Sequence, residues 1–413
     1  MRQRAVVLTS LIGVALWACS DASSREGAPG GSELQAPSQV GNTTSPDETR
    51  KGESHPNDAL LAADDSDPMV HLNYLASEEL RGRNAPSADF DKAATYVTDL
   101  AKKYGLTGPN PGDSNGAFAQ SFQLGALASE ASSAKADHVH SLDAREPTSY
   151  GTSLFEHGFY VDKEGPSSQA RFLSSRPDAV LAGNTHNVLA KLEGTGAKKD
   201  EVIVAMAHLD HLGVASDGSV YNGADDNGSG SAVLASLLPS LAQAKADGQL
   251  NRSILFIWTA GEEDGLVGSQ YFVDHPISGI GLSQIVGVVN MDMVGRWDDQ
   301  RISVIDTNSN GSTTYLSGLL TQANNALSDP FDRVNKDIAQ YARRQDGASF
   351  YDQGEDVLFV FEGLSNPSGG GNLNADYHRT TDDVSKIVSE NGGNKVRRVR
   401  DLLNGVLKLA ANR

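Results

Sequence analysis

Four apolar runs are the feature that most constrains the fold of this chain. They cover residues 202–208, 254–259, 285–292 and 357–361, and each is rich in Val, Ile, Leu or Phe. Continuous apolar runs of this length are typical of strands buried on both faces of a parallel sheet, with helices between them. We therefore expect an α/β fold, in which one domain has a mixed, mostly parallel central sheet flanked by helices on both faces.

Helical periodicity supports this fold class. It predicts helices over residues 68–76, 87–104, 228–244, 266–274, 311–326 and 395–411. The last of these has an apolar face that should dock on the sheet. That face comprises Val396, Val399, Leu402, Leu403, Val406 and Leu409.

The remaining stretches are less regular. Residues 187–192 and 202–208 are predicted to be neighbouring strands. Residues 125–185 have weak periodicity with many Ala and Ser, and they predict an excursion of the same domain with one short helix and some extended pieces.

The N-terminal residues have the features of a leader. Arg2 and Arg4 precede an apolar stretch, residues 5–17, that is too short to span a bilayer as a mature helix. The string LWAC, which ends at Cys19, resembles a bacterial lipobox. It predicts a lipoprotein signal peptide over residues 1–18 and a lipid anchor on Cys19. An ordinary secretion signal with an incidental cysteine is the alternative.

Composition predicts the nature of the segment after the leader and excludes one class of partner. Residues 19–67 are rich in Ser, Gly, Pro, Asn and Asp, which predicts a flexible tether before a folded domain at residues 68–413. The expected location is the bacterial cell envelope, with Ser20 favouring the outer membrane; a secreted or periplasmic protein is the alternative. The net charge of −19 argues against nucleic acid as a partner.

Five side chains that commonly bind metals lie mostly just after the apolar runs. They are His208, Asp225, Glu263, Asp292 and His378. Open parallel sheets form their sites just beyond the carboxyl ends of the strands, so these side chains should meet there. Two histidines and three carboxylates predict a hydrolytic site with two zinc ions.

The neighbours of these residues suggest further roles and alternatives. Asp210 lies two residues after His208, so its carboxylate could accept a hydrogen bond from the imidazole and orient it. His211 follows directly, but strand geometry points it away from His208; a pair of ligating histidines is the alternative. Of the adjacent Glu262 and Glu263, one could bind metal while the other acts as a general base.

Each string also has a simpler interpretation. Asp225 and Asp226 precede a helix, where an N-cap is common. The glutamates at 262 and 263 could belong to a solvated acidic loop, and His378 could be structural.

Taken together, the strings resemble a known family. They are AHLDHLG, NGADDNGSG, GEEDGLVGS, NMDMVG and DYHRTTDD, with LRGR, which ends at Arg83, as an N-terminal signature. From about Leu72 to the C-terminus the sequence resembles the co-catalytic di-zinc aminopeptidases. That family includes glutamate carboxypeptidase and the transferrin-receptor ectodomain.

The resemblance implies a role for each matching residue. His208 and Asp292 would bind one zinc ion, and Glu263 and His378 the other. Asp225 would bridge both ions and be followed by a cis peptide bond to Asp226. Glu262 would be the general base, and Asp210 would orient His208. Tyr377 would donate a hydrogen bond to the oxyanion. The implied activity is removal of N-terminal residues from peptide substrates.

Two segments depart from the family pattern. Residues 345–350 carry Gly347 where many bacterial relatives have a histidine, which bears on the shape of the substrate pocket. Residues 365–374 are an insertion whose glycines predict a mobile loop near the site. It could be a lid or a passive surface insertion.

Other functions on the same scaffold stay open at this point. A carboxypeptidase or dipeptidase would use a basic residue to hold a substrate carboxylate, and Arg343, Arg344 and Arg379 are candidates. Glutaminyl cyclases resemble this scaffold but use one zinc ion, so the five-ligand set argues against them. A non-catalytic binding protein, or a structural lipoprotein with a stabilising ion, is the alternative from a different class.

Overall fold

The computed structural model describes residues 64–127, 146–147, 152–154, 158–161, 179–309 and 311–413. The predicted signal peptide, Cys19 and nearly all of the predicted tether lie outside these residues. No helix in the described part of the chain combines the length and the apolar character that crossing a membrane requires.

The strands alternate with helices along much of the chain. The strands are β1 (Ala119–Leu127), β2 (Glu146–Pro147), β3 (Thr152–Leu154), β4 (Gly158–Val161), β5 (Ala179–Leu192), β6 (Val202–His208), β7 (Gly213–Val214), β8 (Val220–Tyr221), β9 (Ser253–Thr259), β10 (Ile285–Met291), β11 (Arg301–Ile305), β12 (Arg333–Asn335) and β13 (Val357–Phe361). The α-helices are α1 (Pro68–Leu75), α2 (Ala88–Lys103), α3 (Gly230–Ser236), α4 (Leu238–Ala246), α5 (Val267–Asp274), α6 (Tyr315–Ala326), α7 (Gly347–Tyr351), α8 (Val384–Asn391) and α9 (Asn394–Asn412). Short 3-10 helices cover Glu78–Arg83, Leu282–Gln284 and Ala339–Tyr341, and a π-helical turn covers Ala224–Ser229.

The four apolar runs form the centre of one mixed sheet. Within the described residues its strand order is β12-β11-β13-β10-β6-β9-β5-β1-β4-β3-β2. β13, β10, β6 and β9 are parallel to one another, while β5 joins β9 antiparallel. The predicted fold class is confirmed. The prediction that residues 187–192 lie beside residues 202–208 is wrong, because β9 lies between β5 and β6.

Packing on both faces explains why the central runs are continuously apolar. Every residue of β6 is buried. Ile203, Ala205 and Ala207 pack in the larger core cluster, with side chains of α1, α2 and α9. Val202, Val204 and Met206 belong to a second cluster, which includes side chains of α5 and α7. A strand covered on both faces has no solvent side on which polar residues would be favourable.

The predicted helices are found, with two differences in their bounds. The helix predicted over 228–244 is divided at Leu237 into α3 and α4, where Pro239 follows within the first turn of α4 and lacks an amide hydrogen. The helix predicted over 311–326 begins only at Tyr315. In the region 125–185, β2, β3, β4 and the first residues of β5 are extended as expected, and the rest lies outside the described residues.

Burial of α9 against the sheet makes a testable contribution to stability. Leu403 is fully buried, whereas Leu409 on the same helix is only partly buried. We expect Leu403→Ala to lower the free energy of unfolding by about 2–5 kcal/mol, as is usual when a buried leucine leaves a cavity. Leu409→Ala is the matched control and should lower the free energy of unfolding by distinctly less. Equal losses in chemical denaturation would contradict the docking of this face.

Candidate metal centre

The ends of the parallel strands bring four of the five predicted ligands together. His208 is the last residue of β6, and Asp292 follows β10 directly. Glu262 and Glu263 lie in the loop after β9, and His378 lies in the longer connection after β13. Parallel strands place all these segments at one edge of the sheet. These residues are only 4–8% exposed at the acids and 2–7% at the histidines.

Asp226 joins the two histidines. Its Oδ1 lies 3.3 Å from Nε2 of His208, and its Oδ2 lies 3.2 Å from Nε2 of His378. Each histidine also faces a carboxylate of its own. Nε2 of His208 lies 3.3 Å from Oδ1 of Asp292, and Nε2 of His378 lies 3.1 Å from Oε2 of Glu263. The cluster therefore has two halves that share a single carboxylate.

The structure places Asp226, the residue after the predicted bridging residue Asp225, between the two histidines. The carboxylate of Asp225 turns away from both histidines, accepting hydrogen bonds from the amide of Gly295 at 2.8 Å and from Nδ2 of Asn374 at 3.1 Å. Burial and the neighbouring Glu362 raise the pKa of Asp225 well above its usual range. The cis peptide bond is also displaced, to Asp226–Asn227 instead of Asp225–Asp226.

The residues present fit a metal centre. Nε2 of His208, Oδ2 of Asp226 and Oδ1 of Asp292 are buried polar atoms that have no hydrogen-bond partner among the described residues. Such atoms are costly in a protein interior unless something binds them. The nitrogen–oxygen separations of 3.1–3.3 Å match the ligand–ligand distance in a tetrahedral site whose bonds are about 2.0–2.1 Å long. Imidazole and carboxylate donors together suit zinc.

The charges of the cluster favour a cation. Burial raises the pKa of Asp292 to about 6, although His208 opposes this rise. Burial alone would lower the pKa of His378, but Glu263 and Asp226 outweigh it and raise that pKa to about 10. The carboxylates thus favour positive charge at the histidine positions. A bound divalent cation would supply that charge while leaving the imidazoles neutral, as metal binding requires.

Glu262 lies beside the cluster rather than within either half. Its Oε2 is 4.0 Å from Nε2 of His208, further than the oxygens of Asp226 and Asp292. Burial raises the pKa of Glu262 well above its usual value, and Glu263 and Asp292 add to the rise. A general base must lie close to the metal positions and bind a proton readily, and the Glu262 carboxylate meets both requirements.

Asp210 is positioned differently from the prediction. The hydrogen bond from Nδ1 of His208 goes to the backbone carbonyl of Asp210, at 3.0 Å. The Asp210 carboxylate accepts hydrogen bonds from the amides of Glu262 and Glu263, at 3.2 and 3.3 Å. Asp210 therefore orients the imidazole through its main chain and holds the glutamate loop through its side chain.

His211 does not point away from the site, contrary to the prediction. Its Nδ1 lies 2.6 Å from Oε1 of Glu263, and the side chain is fully buried. The prediction assumed that strand geometry continues beyond β6, but β6 ends at His208. His211 thus contacts the oxygen of Glu263 that faces away from His378, and it supports that carboxylate.

Two charged side chains outside the predicted set hold the loop that carries Asp226. Arg83 is buried and donates to the backbone carbonyls of Leu209, Asn222 and Gly223, and also to that of Leu75. Asp382 accepts hydrogen bonds from the amides of residues 225 and 226. Both residues occur in the strings that carry the family resemblance. No local pattern in the sequence indicates that they act on the main chain.

A pocket opens beside the metal cluster. Its walls include Met293, Tyr341, Arg344, Phe359, Phe361 and Leu373. Tyr377 also lines it, with its ring stacked on that of His378 at a centroid distance of 3.9 Å. A largely apolar cavity next to convergent polar groups is the usual form of a substrate site.

The two segments that depart from the family pattern are accounted for by packing. A Cβ atom on Gly347 would lie 2.6 Å from Oε1 of Gln345 and 2.9 Å from Cγ1 of Val357, so a histidine there would require both side chains to shift. Asp346 instead accepts a hydrogen bond from Thr259 at 2.5 Å.

The inserted segment 365–374 is held to the domain rather than hanging free. The amide of Gly370 donates to Asp337 at 2.6 Å, and Ser365 pairs with Asn372. Nδ2 of Asn374 donates to Asp225 and Glu362. Since Leu373 lines the pocket, the C-terminal end of the insertion is part of the wall of the site.

A family comparison agrees with this geometry. The family model described as Peptidase family M28 matches residues 187–402, which include every residue of the cluster. The chain belongs to peptidase family M28. A probable leucine aminopeptidase of Arthroderma otae is 34% identical over 126 residues, which are 30% of this chain and 34% of that protein. The match to such curated relatives therefore spans about a third of their length.

Solved structures show the same fold at low identity. A zinc aminopeptidase from Bacillus subtilis superposes with a TM-score of 0.55 and 18% identity, covering 84% of this chain and 95% of that one. A glutaminyl cyclase from Porphyromonas gingivalis gives a TM-score of 0.51 and 16% identity, covering 84% and 98%. This M28 chain therefore shares its fold with both kinds of enzyme.

The corrected bridging residue can be tested by substitution. Asp226→Asn replaces a carboxylate that faces both histidines by a neutral amide with one oxygen, so we expect metal affinity to fall by at least about 100-fold, more than for residues that only support ligands. Asp225→Asn is the matched control, and its loss should stay below about 10-fold. Metal bound per chain after dialysis against a competing chelator is the measurement. The reverse order of losses would restore Asp225 as the ligand.

Proposed function

We propose that the protein is a metallo-aminopeptidase that removes N-terminal residues from peptides, with two zinc ions in the centre. The observation that carries this proposal is Asp226, whose two oxygens face two different histidines at 3.3 and 3.2 Å. Membership of a peptidase family and similarity to proteins described as leucine aminopeptidases support it.

The ligand sets follow from the two halves of the cluster. His208 and Asp292 would hold one ion, and His378 and Glu263 the other, with Asp226 shared. Each ion would have three protein donors, which leaves a position open for water or substrate, as in catalytic zinc sites. When bound, zinc lowers the pKa of a coordinated water and polarises the carbonyl of the scissile bond.

Glu262 would manage the protons of the reaction. Its carboxylate removes a proton from the attacking water and then carries this proton to the nitrogen of the leaving amine. Its raised pKa suits both steps, because the group must accept a proton and release it again within one turnover. Asp210 fixes the loop on which Glu262 lies, through the hydrogen bond to the Glu262 amide.

Tyr377 is proposed as a hydrogen-bond donor to the oxyanion. Its side chain lines the pocket beside His378. Burial raises the pKa of Tyr377 well above its usual value, and Asp226 and Glu263 add to the rise. The phenol therefore stays protonated and able to donate. A preorganised donor of this kind stabilises charge that develops in the transition state.

Among the alternatives, a dipeptidase or carboxypeptidase has one observation in its favour. Of the three arginines considered for a substrate carboxylate, only Arg344 lines the pocket. Arg343 forms an ion pair with Asp352 at 2.7 Å, and Arg379 is exposed. A non-catalytic binding role is not favoured, because it gives no reason for Glu262 to be buried beside the metal positions.

The cellular location is proposed from the sequence alone. Cys19, after a short apolar stretch, would carry a lipid and anchor the enzyme to the bacterial envelope, with Ser20 favouring the outer membrane. The anchor would be the protein's only contact with the membrane.

The general base gives a direct test of the mechanism. Glu262→Gln keeps the shape of the side chain but cannot accept a proton, so we expect kcat for a leucine anilide to fall by about 100- to 10,000-fold. The bound zinc should be unchanged, since Glu262 belongs to neither ligand set. Glu193→Gln, on an exposed glutamate, is the control for the loss of one charge. Full activity in Glu262→Gln, or loss of its zinc, would contradict the assignment.

A further inference from the structure

Arg344 is the basic group that faces the substrate pocket among the described residues that line it. The pocket floor is formed by Asp226, Glu262 and Asp292 of the metal centre, and its walls are mostly aromatic or aliphatic. A guanidinium on such a wall is unusual for a pocket that accepts only apolar side chains. Its position therefore needs an explanation.

The contacts of Arg344 hold it in place without neutralising it. Its Nη2 lies 3.4 Å from the hydroxyl of Tyr377, and its guanidinium carbon lies 5.4 Å from the centre of the Tyr341 ring. Among the residues described by the structure, no carboxylate forms an ion pair with Arg344. Its sequence neighbour Arg343 does, with Asp352. Arg344 is thus a half-buried, oriented cation whose charge is still available to a ligand.

The surroundings show which ligand the guanidinium fits. Tyr377 stacks on His378, so one aromatic ring separates Arg344 from the metal centre. A planar guanidinium binds a carboxylate with two parallel hydrogen bonds. The ring of Tyr341 lies within cation–π distance of the guanidinium, and this contact does not use the N–H groups as hydrogen-bond donors.

We propose that Arg344 is a specificity-determining residue that binds a carboxylate of the peptide substrate. The proposal rests on the aminopeptidase function proposed above. The carboxylate could be the acidic side chain of the N-terminal residue or the free C-terminal carboxylate of a very short peptide. In both cases the group enters the same pocket while the scissile carbonyl lies at the metal centre.

Electrostatics favour a fixed cation in the pocket for such a substrate. The chain has a net charge of −19, and the metal cluster with Glu262 beside it contains four buried carboxylates. These charges repel an acidic peptide, and two divalent cations offset only those in the cluster. A guanidinium in a partly desolvated pocket supplies the local attraction, and it does so more effectively than an exposed arginine in high-dielectric water.

The first experiment uses the full-length protein loaded with zinc and compares substrates that differ only in one carboxylate. For the side-chain arm, kcat/KM is measured with the p-nitroanilides of glutamate and glutamine. For the C-terminal arm, it is measured with Leu-Ala and its C-terminal amide. A hydrogen-bonded charged group accounts for about a 10- to 100-fold preference, so we expect at least one acid to exceed its amide by this factor.

The second experiment assigns the preference to Arg344. In Arg344→Gln, the ratio of kcat/KM for the acid to kcat/KM for the amide should fall to near one. This applies to the substrate pair for which the wild type prefers the acid. Arg344→Lys keeps the charge but lacks the planar fork, so it should retain part of the ratio. Arg343→Gln removes the same charge from an exposed, ion-paired neighbour, and its ratio should equal that of the wild type.

The outcomes separate this inference from the function on which it rests. If the zinc-loaded wild type cleaves none of these substrates or leucine anilide, the aminopeptidase proposal fails. If it cleaves leucine anilide but neither acid is preferred to its amide, the role of Arg344 is overturned while the function stands. A preference that survives in a folded Arg344→Gln also overturns it. If that variant does not fold, the comparison of each acid with its amide in the wild type still tests whether the pocket prefers a carboxylate.

Discussion

Four carboxylates buried together at the ends of parallel strands set the constraint on which the rest of this structure depends. Asp226, Glu262, Glu263 and Asp292 lie within a few ångströms of two imidazoles and are almost shielded from water. Such a concentration of negative charge is unfavourable in a protein interior without compensation. The geometry of the donors and the direction of the pKa shifts favour bound cations as the compensation, and the two zinc ions of the proposed function would supply it. The catalytic proposal follows from this, since the same charges that bind metal also raise the proton affinity of Glu262.

The main chain around the cluster is fixed by buried charges that act on amides and carbonyls. Arg83 binds carbonyls on both sides of the site, and Asp210 and Asp382 bind amides of the loops that carry Glu262, Glu263 and Asp226. Charge-assisted hydrogen bonds of this kind are stronger than neutral ones. Rigid loops keep the ligands apart at distances that a metal ion can bridge. Preorganisation of this kind lets the site avoid a large rearrangement when it binds its ions.

The fold and most of the site could be predicted from the sequence because they depend on periodicity and on strand ends. The apolar runs identified β6, β9, β10 and β13, and the residues after them identified five of the six clustered side chains. Asp225 and Asp226 could not be told apart, since they lie in an irregular turn where no period indicates which side chain points inward. His211 was misplaced for a similar reason, as β6 ends before it. The position of Arg344 depends on tertiary packing of the segment before α7, which has no local signal in the sequence.

The central claim is that one carboxylate, Asp226, joins two metal positions. The most direct measurement is anomalous X-ray scattering at the zinc edge from crystals of the zinc-loaded protein. This account predicts two anomalous peaks per chain, about 3.5–4 Å apart, with one oxygen of Asp226 at each. His208 and Asp292 should contact one peak, and His378 and Glu263 the other. A single peak, or two peaks bridged by Asp225, would contradict it.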